Sequence, residues 1–114
     1  MTADDFRRLV LNIPGAIESA HMGHPDFRAA NRIFATLGSP DRRYAMVKLD
    51  PMQQEMLVAA EPAMFVPANG AWGRQGSTLM LLERADADTA RGAIEMAWRN
   101  VTQHAASRPR KRSR

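Results

Sequence analysis

This sequence predicts an α+β domain: one antiparallel β-sheet carrying helices, in the order α-β-β-β-β-α-β-β-α. Three observations predict it. Tyr44-Ala45-Met46-Val47-Lys48-Leu49 alternates with the period of a strand, and Asp50-Pro51-Met52-Gln53 then has the grammar of a helix start. Short extended pieces precede this junction, with turns between them and no helix to carry a parallel crossover, which favours an antiparallel meander. Ala90, Ala93, Ile94, Ala97, Trp98 and Val101 recur at i, i+3, i+4, i+7, i+8 and i+11, an apolar stripe along one side of a last helix.

Taken in order, Thr2 caps a first helix, with Asp5 three residues on and two aspartates at the positive end of its dipole. Phe6, Leu9, Val10 and Ile13 form its apolar stripe, and Pro14-Gly15 stops it. Glu18–Met22 reads as a strand ended by Gly23-His24-Pro25. Asp26–Ala29 and Arg32–Leu37 read as a hairpin closed at Ala30-Asn31, where Asn tolerates a positive φ; Phe27, Ile33, Ala35 and Leu37 are its expected buried face. Gly38-Ser39-Pro40-Asp41 turns the chain into the central strand, Ala45–Leu49.

At the junction, Asp50 offers an acceptor to the first helical amides, Pro51 fits the first helical position, and Gln53 answers Asp50 as in a capping box. Helix two is expected from Pro51 to about Ala60, turning Met52, Met56, Leu57 and Ala60 to the sheet, and Glu61-Pro62 ends it. Met64–Pro67 is a short edge piece, Ala68–Gly76 a flexible glycine-rich loop, and Ser77–Glu83 a strand covered on both faces. Asp86 caps the last helix. Three helical stripes are thus expected to roof the sheet, leaving its other side free.

Charge is unevenly placed. The whole chain carries +4 over 114 residues, but five of its 16 Lys and Arg lie at the C-terminus: Arg108, Arg110, Lys111, Arg112 and Arg114. Residues 1–107 hold 11 cationic against 12 acidic side chains, a net of −1. The reading is therefore one folded domain over residues 1–104 and a basic, disordered tail over 105–114 that could contact phosphates. The chain has no cysteine, which excludes thiolate chemistry, disulfides and Cys-based zinc sites. An acidic N-terminus without a long apolar run predicts no signal peptide and no membrane association, hence a cytoplasmic protein.

No residue set adds up to a catalytic site, and no cofactor is expected. None of the serines sits in a G-x-S-x-G turn. The glycine loop leads into a strand rather than a helix, unlike a dinucleotide or P-loop motif. His21 and His24, three apart in one extended segment, would face opposite sides, so no metal site is expected; His24 and Asp26 instead organise the turn before Phe27. What remains is a basic and aromatic surface. Arg28, Arg42, Arg43, Lys48 and Arg74 fall on or beside strands and loops, with Trp72 between glycines, a pattern that can contact phosphates and stack a base.

The order Pro14-Gly15-Ala16-x-Glu18, Gly23-His24-Pro25-x-Phe27, Ile33-Phe34-Ala35-Thr36-Leu37 and Lys48-Leu49-Asp50-Pro51 with Gln54 resembles the MmcQ/YjbR family of small bacterial proteins. The Gly70–Gly76 loop with its tryptophan and Met96-Ala97-Trp98-Arg99 fit as well, so that the likeness covers residues 2 to about 104. It implies a compact α+β fold, similar to a double-wing arrangement whose strands present a concave face to DNA, and it brings no catalytic residues. Arg28, Lys48 and Arg74, with Arg42 and Arg43 at a hairpin tip, would be the matching contacts. The expected function is a non-enzymatic binding domain that contacts DNA through the sheet's basic face and the tail. Second stands a protein–protein adaptor or chaperone-like module anchored by Trp72, and third a small-ligand or enzymatic role.

Overall fold

The computed structural model describes the backbone of residues 1–111 and the side chains of residues 1–103. Helix α1 (Ala3–Leu11) begins with the expected reciprocal cap: the Asp5 amide donates to Thr2 Oγ1 at 3.0 Å and the Thr2 amide to Asp5 Oδ2 at 2.9 Å. Those bonds, made to the ionised form, hold the Asp5 carboxyl below its usual range. Phe6 and Val10 are its buried residues, and the Phe6 ring meets Phe27 edge-on at 6.1 Å.

The first two strands form a hairpin that the alternation pattern did not reveal. β1 (Ile17–His21) and β2 (His24–Ala29) are joined by the two-residue turn Met22-Gly23, with φ of +51° and +82°. Two successive positive φ values give the turn whose twist matches its strands. The strand expected to end at Met22 therefore ends at His21, and His24-Pro25 belongs to β2 rather than to a turn. The next hairpin, into β3 (Arg32–Leu37), closes at Ala30-Asn31 as expected, with φ of +53° and +63°. A register shift between Phe27 and Arg28 makes a bulge there, and Phe34 and Ala35 are both fully buried. That shift breaks strict alternation, which is why Ile33, expected inside, is only half-buried.

β4 (Tyr44–Lys48) buries Ala45 and Val47 and leaves Tyr44, Met46 and Lys48 half-covered on the other side. With β5 (Phe65–Pro67) and β6 (Ser77–Leu81) it completes a six-stranded, wholly antiparallel sheet in the order β1-β2-β3-β4-β6-β5. β6 is shorter than expected, because a 3₁₀ turn takes over at Leu82–Arg84.

Helix α2 (Pro51–Ala60) starts as read: the Gln53 amide donates to Asp50 Oδ1 at 2.7 Å and the Asp50 amide to Gln53 Oε1 at 2.9 Å. Its inner face differs in part from the expected one. Leu57 packs against the core as expected, joined by Val58, but Met52 and Met56 are 80% and 52% exposed and Ala60 is exposed. The reason lies in the cap. Gln53 is drawn towards the last helix, where Asn100 Nδ2 donates to its Oε1 at 2.9 Å, and Gln54 Nε2 donates to the Gly73 and Ser77 carbonyls at 3.0 Å each. These polar ties fix the helix rotation. Met56→Glu is accordingly expected to leave stability unchanged within about 0.5 kcal/mol, and Leu57→Glu to lower it by more than about 1 kcal/mol, in urea denaturation.

The glycine-rich segment is not all loop: Gly70–Arg74 forms a short helix, α3. The last helix, α4 (Ala87–Lys111), is capped by Asp86, whose Oδ2 accepts from the Thr89 amide at 2.9 Å and whose carboxyl is held low by that bond. Ala90, Ala93, Ile94, Ala97 and Val101 are buried as expected, with Trp98 packed beside them. In backbone this helix continues past residue 105, where the sequence pattern set its tail boundary; the tail side chains lie outside the described residues. α1 and α4 pack on each other and α4 covers β2, β3 and β4, while α2 packs on β5 and β6. Two helices rather than three thus roof the centre of the sheet. No helix among the described residues is long and apolar enough to cross a membrane.

Candidate functional site

The side of the sheet turned away from Phe6 and α4 is built by the other half of each strand's alternation. Register places Asp26 across from Thr36, Thr36 across from Met46, and Met46 across from Leu79, one continuous row over four strands. Arg28 pairs with Ile33 and Lys48 with Ser77 in rows beside it. α3 stands along this side and carries Trp72, 64% exposed. Between them lies a cleft of about 460 Å³ with an apolar floor of Ile33, Met46 and Leu79. Its ends differ chemically: His21, His24, Ser39 and Pro40 at one, Lys48, Asn69 and Trp72 at the other.

At the second end the Lys48 ammonium sits 5.7 Å from the centroid of the Trp72 ring. A cation over an indole face is attracted by the ring's quadrupole, and the contact orients both side chains. Lys48 is placed by strand alternation and Trp72 by the helical turn between Gly70 and Gly76, so the pairing needs both elements.

At the first end the Met22-Gly23 turn sets His21 directly across from His24, on the same side of the hairpin. Both line the cleft. The sequence pattern had put them on opposite sides because it treated the segment as one strand; a Gly at the second position of a tight turn was the signal that could have shown the hairpin. His21, not His24, is the partner of Asp26, with Nδ1 at 2.7 Å from Oδ2. Asp26 is 0% exposed and also accepts from Arg28, Nε to Oδ1 at 2.8 Å and Nη2 to Oδ2 at 3.1 Å. The bidentate Arg28 contact, reinforced by His21, keeps its carboxyl below the usual range even though burial pushes the other way. Among the described residues no group of three or more His, Asp or Glu side chains is arranged to hold a metal ion.

The expected DNA contacts are not brought together as one surface. Arg28 spends its guanidinium on Asp26. Arg43 does the same with Asp41, Nε to Oδ1 and Nη2 to Oδ2 both at 3.0 Å, and lies over the Tyr44 ring at 5.3 Å. That pair holds the Asp41 carboxyl low and raises the Arg43 guanidinium. Arg42 is exposed in the β3–β4 turn and Arg74 is exposed at the end of α3. Only Lys48 and Trp72 of the expected set meet in the cleft. Arg108, Arg110, Lys111, Arg112 and Arg114 lie outside the described residues.

Comparison with solved structures finds the same fold in a Deinococcus radiodurans protein, DR2400, described as a DUF419 domain. The TM-score is 0.74 at 19% identity, over 89% of this chain and 78% of that one. No curated protein matches. The family model described as YjbR matches residues 11–100, from the last residue of α1 into the last helix. That span takes in the entire sheet and both ends of the cleft, and the chain therefore belongs to the YjbR family.

Proposed function

We propose that this chain is a non-enzymatic binding domain whose recognition surface is the cleft on the open side of its sheet, and that its ligand is a small anion bearing a planar ring. The observation that carries this is the Lys48 ammonium held against the exposed Trp72 indole at the edge of an apolar floor. An anionic group pairs with Lys48 beside Trp72 while the ring packs on the floor of Ile33, Met46 and Leu79. A concave apolar site of a few hundred Å³ with few convergent polar groups is the form small-ligand sites take. The buried carboxylate beside it, Asp26, is neutralised in place by Arg28, which supports binding rather than acid–base chemistry by that group.

Duplex DNA fits this surface less well. Phosphate binding draws on several uncommitted cations along one face. Here Arg28 and Arg43 are occupied by Asp26 and Asp41, and the body carries a net charge of −1. An adaptor role would use Trp72 as a buried anchor without needing Lys48.

Calorimetric titration separates the small-anion and duplex readings, with adenosine 5′-monophosphate as one probe and a short duplex at two salt concentrations as the other. The expected result is nucleotide binding that Lys48→Ala and Trp72→Ala each weaken by about tenfold. Duplex binding that falls steeply with salt, responds to Arg42→Ala and Arg74→Ala and ignores Lys48→Ala would overturn the proposal.

A further inference from the structure

The end of the cleft opposite Lys48 contains a group whose orientation is unusually well fixed. His21 is 45% exposed and lines the cleft, yet its Nδ1 is bound at 2.7 Å to a carboxylate that is 0% exposed. An ionised carboxylate can only accept hydrogen bonds. Arg28 keeps Asp26 ionised through two bonds of its own, so Nδ1 of His21 carries a hydrogen whatever the charge on the ring. The neutral imidazole then has a single bare nitrogen, Nε2, and the ring cannot flip its tautomer without leaving an acceptor opposite an acceptor. Arg28 in turn is held by Asp26 and is not the group that meets a ligand head-on. The chain Arg28–Asp26–His21 thus presents one oriented acceptor at the cleft.

We propose that His21 Nε2 is the specificity-determining acceptor of the cleft, reading an amino or other N–H donor on the ring of a nucleoside monophosphate whose phosphate pairs with Lys48. This rests on the reading of the cleft given above and adds the identity of the ligand's far end. Asp26 acts through His21 and is a positioning residue. Spacing supports the ligand class. Register puts His21 in the row of His24, Gly38 and Tyr44, so Lys48 lies three strand steps across (about 14 Å) and four residues along (roughly 13 Å), a backbone separation of roughly 19 Å that the two side chains partly close. The remaining span suits a single nucleotide, as does a volume of about 460 Å³. A cleft of that size takes one nucleotide more readily than a strand, and the occupant assigned is the free mononucleotide.

The test compares adenosine 5′-monophosphate with purine riboside 5′-monophosphate, which differs only in lacking the exocyclic amine, by calorimetry on the intact chain. The adenine nucleotide is expected to bind about tenfold tighter, the usual worth of a hydrogen bond whose loss leaves its partner unsatisfied. His21→Phe is expected to bring the ratio close to one, while Lys48→Ala weakens both nucleotides equally and preserves the ratio. Nitrogen-15 shifts of the His21 ring are expected to show hydrogen on Nδ1 and a bare Nε2 in the neutral form. A ratio that survives His21→Phe, or hydrogen on Nε2, overturns the assignment. Equal binding of both nucleotides that still depends on Lys48 overturns it while leaving the cleft reading intact; failure of both to bind removes the two together. A single-stranded oligodeoxyadenylate binding more tightly than the mononucleotide would overturn the choice of a free nucleotide.

Discussion

Arg28→Ala is expected to lower the thermal midpoint of unfolding by about 10 °C or more, an effect far beyond that of losing a surface arginine. The Arg28 side chain is 35% exposed but its partner carboxylate is buried, and removing the arginine leaves that buried charge without compensation, which destabilises more strongly than the intact pair stabilises. The charge left behind is Asp26, fully buried and holding two bonds from Arg28 and one from His21. His21 alone cannot replace the lost partner, because it offers a single donor and is half in solvent. Arg43→Ala is the control. It removes an equally well-formed bidentate contact, but its partner Asp41 is only half-covered and can turn to water, so its loss is expected to be small. Equal midpoints for the two variants would show that Asp26 does not need Arg28.

The pH dependence of the same variant gives a second check, and its sign follows from which way Asp26 is shifted. In the intact protein the folded-state value lies below the unfolded one, mainly through Arg28. That contribution to stability is present above the unfolded carboxylate value and is lost as pH falls through the folded one. Without Arg28, burial acts with less opposition and raises the Asp26 carboxyl. The deficit of Arg28→Ala relative to the parent is therefore expected to be largest at neutral pH and to shrink as the solution is acidified and Asp26 takes up a proton. Urea midpoints of the two proteins between neutral and mildly acidic pH measure this directly. A deficit that stays constant or widens on acidification would mean that lost packing, not an unpaired charge, explains the variant.

How far the sequence reached depends on whether a feature is local. Both capping boxes, the Ala30-Asn31 turn, the α4 stripe and the strand at Tyr44–Lys48 each follow from residues within a few positions of one another. What local patterns missed was set by distant partners. The rotation of α2 is fixed by bonds from Gln54 to Gly73 and Ser77 and from Asn100 to Gln53, across 19 to 47 residues of chain, and no apolar count within the helix contains that information. The bulge that buries Phe34 arises where β2 and β3 fall out of register. The candidate site shows the same division. Lys48 and Trp72 stand out by residue type and do meet, whereas Arg28, placed by the strand pattern as a phosphate contact, is claimed by the buried Asp26 two residues away. Charge spacing along a strand shows which side a cation occupies, but not whether an acid on that side has already neutralised it.

Gly76→Ala is expected to be among the most damaging single-methyl additions to the described part of the chain, lowering stability by about 3 kcal/mol or more. Two penalties coincide there. Gly76 has φ of +116°, outside the range that residues with a Cβ adopt readily, and a Cβ built on it would lie 2.0 Å from the Leu49 carbonyl oxygen, 2.7 Å from its carbon and 2.8 Å from the Asp50 carbonyl carbon. The obstacle is backbone, so no side chain can swing aside. Nor can Gly76 retreat easily: its amide donates to the Gly73 carbonyl at 3.0 Å and its own carbonyl accepts from Thr78 Oγ1 at 2.8 Å. Gly15→Ala lacks the clash, since Gly15 has φ of +80° but nothing within 4 Å of a built Cβ, and the conformational penalty alone is about 1–2 kcal/mol. The surplus of Gly76→Ala over Gly15→Ala in urea denaturation therefore measures the close approach together with the greater strain of φ +116° over +80°, and a surplus near zero would show that neither constrains the fold. The position also ties stability to the cleft. Leu49 and Asp50 are the joint between β4 and α2, one residue beyond Lys48, while Gly76 closes the turn after the helix that carries Trp72. Pushing these two backbones apart separates the elements that hold the Lys48 ammonium over the Trp72 ring. If the cleft binds nucleotide as proposed, any Gly76→Ala protein that still folds is expected to lose that binding, whereas a Gly15→Ala protein of reduced stability keeps it.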